Sequence, residues 1–271
     1  MQQDGFAALG AVDAAPLVLP EPERLALPDG AVQVWMLEDA QVSPACARLA
    51  HALAPDERAR ALAYRHARHR EGYIARRGLL RWLLGGYLRW PPEALRFAVS
   101  AFGKPVLQWP PAGLAFSVSH TDGIALLAFG RDCRLGVDVE RRAGGLDAPG
   151  LGRGVFSAVE ARTLARARPD STDTLLRLWT RKEALLKALG MGLSGDPTAY
   201  TTGNDRQRGA GHWRASHHGT AISGWTCLDL DAGPAFRAAL AVSLPDASVT
   251  CHGCASPAQP LDTLRDALRN T

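Results

Sequence analysis

Apolar and polar residues change their period several times along this 271-residue chain, and those changes mark its elements. Residues 1–30 are rich in Ala, Pro and Leu without a regular period and read as an irregular arm. Val32-Gln33-Val34-Trp35-Met36 then alternates as a strand does. From Pro55 the pattern is helical. Asp56 is placed to cap a first helix, and Tyr73, Ile74, Arg77, Leu80, Arg81 and Leu84 trace a long amphipathic one that should end near Gly85-Gly86. After the break at Pro91-Pro92 come strand-like runs at 95–99, 106–109, 114–119 and 124–129.

Gly130-Arg131-Asp132-Cys133 reads as a turn and sets the midpoint. Leu135–Val139 is again strand-like. Ser157-Ala158-Val159-Glu160 has the form of a capping box opening a helix that Pro169 closes. A second long helix is predicted from about Asp173 to Leu189, with Gly190 as its C-terminal stop. A polar, Gly-rich loop (201–211) leads to three more short strands within 212–243. The expectation is an α+β chain of two related α/β subdomains, each with a small sheet packed on a long helix. The first spans 1–132 and the second 133–245, with 246–271 left as a tail.

Composition narrows the class. A content of 46% hydrophobic residues is enough for a sizeable core. No apolar run approaches the ~20 residues of a membrane span. Acidic Asp4 and Asp13 in the N-terminal stretch do not fit a secretory signal, so a cytoplasmic protein is expected. The five cysteines are an odd number and widely spread, which argues against a disulfide framework. Cys251-His252-Gly253-Cys254 is one C-x-x-C without the second pair a structural zinc site needs, so these cysteines read as incidental rather than metal-binding or redox.

Net charge is +4, and of 31 basic side chains only Lys104, Lys182 and Lys187 are lysine. Eight arginines from Arg58 to Arg81 crowd the first helical region with His66 and His69. That crowd is compatible with a solvated helix face, a nucleic-acid footprint or a cradle for a phosphate-rich small molecule. No stacking aromatics or DNA-binding motif accompany it, so nucleic acid is the least favoured of the three.

Two stretches carry candidate chemistry. In Gly136-Val137-Asp138-Val139-Glu140, the two carboxylates lie two apart on a strand and face the same way. They form either a polar strand face or an oxygen-only magnesium pair. In the helix Trp179–Leu189, Glu183 and Lys187 lie four apart on one face, away from Leu175, Leu178, Leu185 and Leu189. An exposed salt bridge is the ordinary reading; a third metal carboxylate with a phosphate-holding lysine is the sharper one. Gly103-Lys104-Pro105 lacks the residues of a P-loop. His120, at the end of Phe116-Ser117-Val118-Ser119-His120, is either a turn histidine or a phosphate donor.

Taken in order, these pieces resemble the Sfp-type 4′-phosphopantetheinyl transferases, whose pattern runs G-K-P, F-N-x-S-H, G-[IV]-D-[IV]-E and W-x-x-K-E-[AS]-x-x-K-x-x-G-x-G-L. Here they read Gly103–Pro105, Phe116–His120, Gly136–Glu140 and Trp179–Leu193, and the likeness covers roughly residues 30–245. The resemblance implies two α/β halves related by a pseudo-twofold, with coenzyme A bound between them as substrate. It implies Asp138, Glu140 and Glu183 as Mg2+ ligands and Glu183 as the base for the carrier serine. Lys187 would hold the transferring phosphate, Ser119 and His120 would form a phosphate-binding pair, and Lys104 would lie near the adenine end. Arg77, and Arg60 with Arg58, would contact the 3′-phosphate. Ser117 stands where the family often has asparagine. The implied partner is an acidic acyl or peptidyl carrier protein, the product 3′,5′-ADP, and the working form a monomer, with no membrane or nucleic acid involved. A metal-dependent glycosyltransferase would leave Trp179–Leu193 and Lys104 unexplained. A non-catalytic coenzyme A or carrier-binding module would have been free to lose Glu183.

Overall fold

The computed structural model describes residues 19–38, 42–100, 103–142, 154–167, 171–192, 195–204 and 211–253. Most of the expected arm, Pro169, Leu193 and Cys254 lie outside the described residues. The helices are α1 (Val42–His51), α2 (Pro55–Leu62), α3 (Ala67–Leu88), α4 (Ala158–Arg166) and α5 (Ser171–Leu189). The strands are β1 (Ala31–Glu38), β2 (Arg96–Val99), β3 (Pro105–Trp109), β4 (Leu114–Thr121), β5 (Ile124–Arg131), β6 (Leu135–Arg141), β7 (Tyr200–Asn204), β8 (Trp213–His217), β9 (Thr220–Ala221), β10 (Thr226–Leu230), β11 (Phe236–Val242) and β12 (Ser248–Gly253).

Two sheets dominate. One has the order β12-β1-β5-β4 and the other β10-β11-β6, with small sheets β2-β3 and β7-β8-β9 attached. Strand alternation sorts the first sheet's residues onto two cores. Trp35, Leu37, Leu127 and Phe129 point to α3, where they meet Leu79, Leu80, Leu83 and Leu84. Val32, Val34, Leu126 and Ala128 point the other way, onto Leu135, Val137, Val139 and Leu240 of the second sheet. The second sheet in turn lies on α5 through Ala239 and Ala241, which meet Ala184, Leu185 and Ala188. The layers therefore run helix, sheet, sheet, helix. β5 is apolar on both faces because both are covered, and every residue from Ile124 to Gly130 is buried.

The long helices form where periodicity predicts, with informative differences at their ends. Ser157 and Glu160 make the expected capping box on α4, and Gly190 follows α5 at φ 73°. At α2 the cap comes from Glu57, which accepts from the Ala54 amide at 3.1 Å, rather than from Asp56. α3 does not stop at Gly85-Gly86. A Cβ on Gly86 would lie 2.4 Å from Leu25 Cδ1, and one on Gly85 2.8 Å from the Trp90 carbonyl, so these glycines admit the chain that crosses the helix. The helix instead ends at Arg89, in the left-handed region at φ 53°.

Other elements were not anticipated. α1 went unpredicted, and the first residues of the expected loop at 201–211 belong to β7. The largest difference concerns the C-terminal tail. Ser248–Gly253 is a strand lying parallel to β1, from Ala31 opposite Ser248 to Met36 opposite Gly253. The chain thus returns to its first sheet, because β1 would otherwise present an unpaired edge beside a buried core.

Candidate active site

The two main sheets pack face to face, and their end strands β4 and β6 come together beside the core. α5 lies across β6. The approach is close because Gly136 has no side chain: a Cβ there would sit 2.0 Å from the Ala184 carbonyl oxygen and 2.5 Å from the Ala188 amide nitrogen. The glycine that begins Gly136–Glu140 therefore brings the strand's carboxylates within reach of the helix's glutamate and lysine.

Lys187 Nζ lies 2.6 Å from Asp138 Oδ1 and 3.0 Å from Ser119 Oγ. The Ser119 hydroxyl donates to the same Asp138 oxygen at 2.8 Å and accepts from the Val139 amide at 3.3 Å. One donor and two acceptor positions of that hydroxyl are thus engaged inside the protein. Glu140 accepts from Trp179 Nε1 at 3.0 Å. Asp138 Oδ2 and Glu183 Oε1 are buried and have no hydrogen-bond partner.

The charges are unbalanced. Burial pushes the Glu183 carboxyl up to about 7, helped by the negative charges of Asp138 and Glu140 and opposed by Lys187. Burial also raises Glu140, with the Trp179 hydrogen bond opposing and Asp138 reinforcing. Three carboxylates thus share one ammonium.

Beside them a cleft of about 270 Å³ is lined by Gly103, Lys104, Pro105, Phe116, Ser117, Val118, Glu183, Lys187, Gly190 and Gly192. Residues from all of the expected motifs except Gly136–Glu140 face it, and that stretch forms the wall beneath. The Lys104 ammonium turns inward and donates to the carbonyls of Leu135 (2.8 Å) and Lys187 (2.9 Å), closing the C-terminal end of α5. Burial lowers its pKa to about 8. His120 is exposed on β4, on the strand face that carries Phe116 and Val118.

The remaining basic candidates stand farther off. Arg77 Nε donates to Glu57 Oε1 at 2.5 Å, and its guanidinium lies 4.1 Å from the centre of the Phe97 ring, which packs edge-on against Phe116. Arg60 is an exposed residue of α2 whose guanidinium lies 5.4 Å from the Tyr73 ring centre. Arg58 is spent on the Leu53 and His51 carbonyls. None of the three lines the cleft.

Lys182 points away from the site despite its neighbour Glu183. It is fully buried, 2.7 Å from Glu160 Oε2. Two residues that touch the site, Gly136 and Trp179, open motifs quoted from the sequence but carry no role there. For Trp179 a signal was present: 179, 183 and 187 are spaced by four and share one helix face.

Among the described residues, no three His, Cys, Asp or Glu side chains converge closely enough to hold a metal ion as they stand. The donor set nonetheless fits a hard cation. It is all oxygen, two of its buried oxygens lack partners, and its carboxyl groups repel one another.

Helix, carboxylates and cleft thus form one site, and comparison with known proteins gives the family it belongs to. Residues 134–239 match the 4′-phosphopantetheinyl transferase superfamily. The 4′-phosphopantetheinyl transferase HetI of Nostoc sp. is 36% identical over 180 residues, which cover 65% of this chain and 76% of that protein. A protein of Synechocystis sp., provisionally assigned the same activity, is 28% identical over 166 residues, covering 60% of this chain and 66% of the relative. The chain belongs to the 4′-phosphopantetheinyl transferase superfamily and moves phosphopantetheine to carrier proteins. The glycosyltransferase and non-catalytic readings are not favoured. No described helix is long and apolar enough to cross a membrane.

Proposed function

We propose that Asp138, Glu140 and Glu183 hold Mg2+ and that coenzyme A lies in the adjoining cleft with its diphosphate toward Lys187. The observation that carries this reading is the pair of buried, unpartnered carboxylate oxygens beside a single ammonium. When bound, the metal would supply positive charge to the diphosphate oxygens as the transfer proceeds.

In this scheme the carrier serine oxygen bonds to the β-phosphorus, and the bond from phosphorus to the departing 3′,5′-ADP oxygen breaks, its electron pair leaving with the ADP. The serine proton passes to Glu183 as general base. Lys187 balances charge on the transferring phosphoryl group, and the rest of the catalysis is positioning. Ser119 and His120 serve the phosphate at the end of β4, Lys104 the region toward the adenine, and Arg77 with Arg60 the 3′-phosphate. For Ser119 and Lys104 this requires sharing or exchanging the internal partners described above. The enzyme works as a monomer in the cytoplasm on an acidic acyl or peptidyl carrier, and the chain's charge of +4 favours that encounter.

The test incubates the protein with MgCl2, coenzyme A and apo carrier proteins of both kinds, then measures carrier mass. A phosphopantetheine increment that disappears with EDTA and in Glu183→Gln is expected. Unmodified carriers, or transfer indifferent to EDTA, would overturn the assignment.

A further inference from the structure

β6 carries two of the carboxylates, yet among the described residues only one of its edges is paired by a strand. β11 takes one side in register, Asp138 opposite Ala239 and Glu140 opposite Arg237. On the other side no described strand pairs with it. Leu135, Val137 and Val139 are almost completely buried there, so their backbone polar groups need partners from the protein. Three of the partners are side chains of the first half, and Lys187 Nζ of α5 also donates to the Val137 carbonyl at 3.4 Å. Lys104 Nζ donates to the Leu135 carbonyl at 2.8 Å. Ser117 Oγ accepts from the Val137 amide at 3.1 Å, and Ser119 Oγ from the Val139 amide at 3.3 Å. Every second residue of the strand is thus met by one side chain of β4 or of the segment entering β3, in the same order along both halves.

We propose that Lys104, Ser117 and Ser119 form a side-chain ladder that fixes β6 against β4, and that Ser117 is thereby a positioning residue for phosphopantetheine transfer. This rests on the site assigned above. Ser119 and Lys104 also touch Asp138 or the Lys187 carbonyl, but Ser117 is engaged with the strand alone among these contacts. It is 3% exposed and lies midway between the other two rungs. Its hydroxyl holds the amide of the residue immediately before Asp138, and so the direction in which that carboxylate leaves the backbone. A two-atom side chain also sets the spacing: the hydroxyl reaches the amide only when the two strands stand at this separation.

Amide hydrogen exchange reads the ladder directly. In the wild-type protein the Val137 and Val139 amides should exchange as slowly as those of residues paired across β6 and β11. Exchange as fast as that of an open edge strand would overturn the proposal. In Ser117→Ala the Val137 amide should exchange about tenfold faster or more. The kcat for transfer should fall by about tenfold, more Mg2+ should be needed for half-maximal rate, and the KM for carrier should change little. Ser117→Thr, which keeps the hydroxyl, should recover most of the rate. Ser243→Ala removes a comparable hydroxyl from the exposed Arg134 amide and should leave transfer unchanged. An unchanged Val137 exchange rate in Ser117→Ala, or a lowered melting temperature with kcat and Mg2+ dependence intact, would refute the positioning role. Transfer absent from the wild type would instead count against the function assigned above, and the wild-type exchange measurement would still decide the ladder.

Discussion

Lys182→Met separates the structural lysine of α5 from the chemical one five residues later. Lys182 is 0% exposed, and its Nζ donates to the Pro197 carbonyl at 3.0 Å and to the Tyr200 carbonyl besides facing Glu160 at 2.7 Å. Glu160 is itself 1% exposed. It accepts from the amides of Ser157 and Thr202 and from the Thr202 hydroxyl, each at 2.8 Å, so it joins α4, α5 and β7 at one point. Methionine preserves the volume and removes the charge, leaving a buried carboxylate with three hydrogen bonds and no cation. Breaking a buried pair from one side costs about 3–5 kcal/mol. For a chain of this size that corresponds to a fall of roughly 10 °C in Tm. Removing the second charge as well, in Lys182→Met/Glu160→Gln, should restore part of the loss, because the uncompensated ion disappears. Thermal and urea denaturation of the wild type, both single variants and the double variant measure the coupling. Below its melting point Lys182→Met should keep the wild-type KM for coenzyme A, since the ammonium does not reach the cleft. A Tm within about 2 °C of wild type, or a double variant no more stable than Lys182→Met, would refute the account.

Three further outcomes are expected. Glu183 has a folded pKa of about 7 against an ordinary 4.5, so its neutral form favours folding; that stability is fully present below 4.5 and is lost as pH rises through about 7. In EDTA the wild type should therefore lose on the order of 3 kcal/mol between pH 4.5 and 8 relative to Glu183→Gln, and parallel urea-stability profiles for the two would contradict this. Gly136→Ala must push α5 off β6, because its Cβ would stand 2.0 Å from the Ala184 carbonyl oxygen. A loss of about 1–3 kcal/mol and a severe fall in kcat should follow, whereas a wild-type melting curve would show that the helix can give way. Trp179→Phe keeps the ring packing and deletes the 3.0 Å hydrogen bond to Glu140. Magnesium titrations of transfer rate should show a half-saturating concentration raised about two- to tenfold with Tm nearly unchanged, and an unaltered titration would remove Trp179 from the support of Glu140.

The sequence by itself determined the elements whose pattern is local. The 3.6-residue period marked α3 and α5, the Ser157–Glu160 spacing marked the start of α4, alternation marked β1, and short strand-like runs marked β4 to β6. It also brought out Asp138, Glu140, Glu183 and Lys187, because two-residue and four-residue spacings put such groups on one side of a strand or a helix. The rest required the third dimension. β12 pairs with a strand more than two hundred residues earlier, and Gly85-Gly86 looks like a helix stop until Leu25 and Pro22 are seen against it. The three lysines look alike in sequence. Only packing makes Lys182 a buried counter-ion, Lys104 a clasp on the end of α5 and Lys187 the cation among three carboxylates. Charge and spacing are properties of residues near each other in the chain, whereas burial and partner depend on which distant segments arrive beside them.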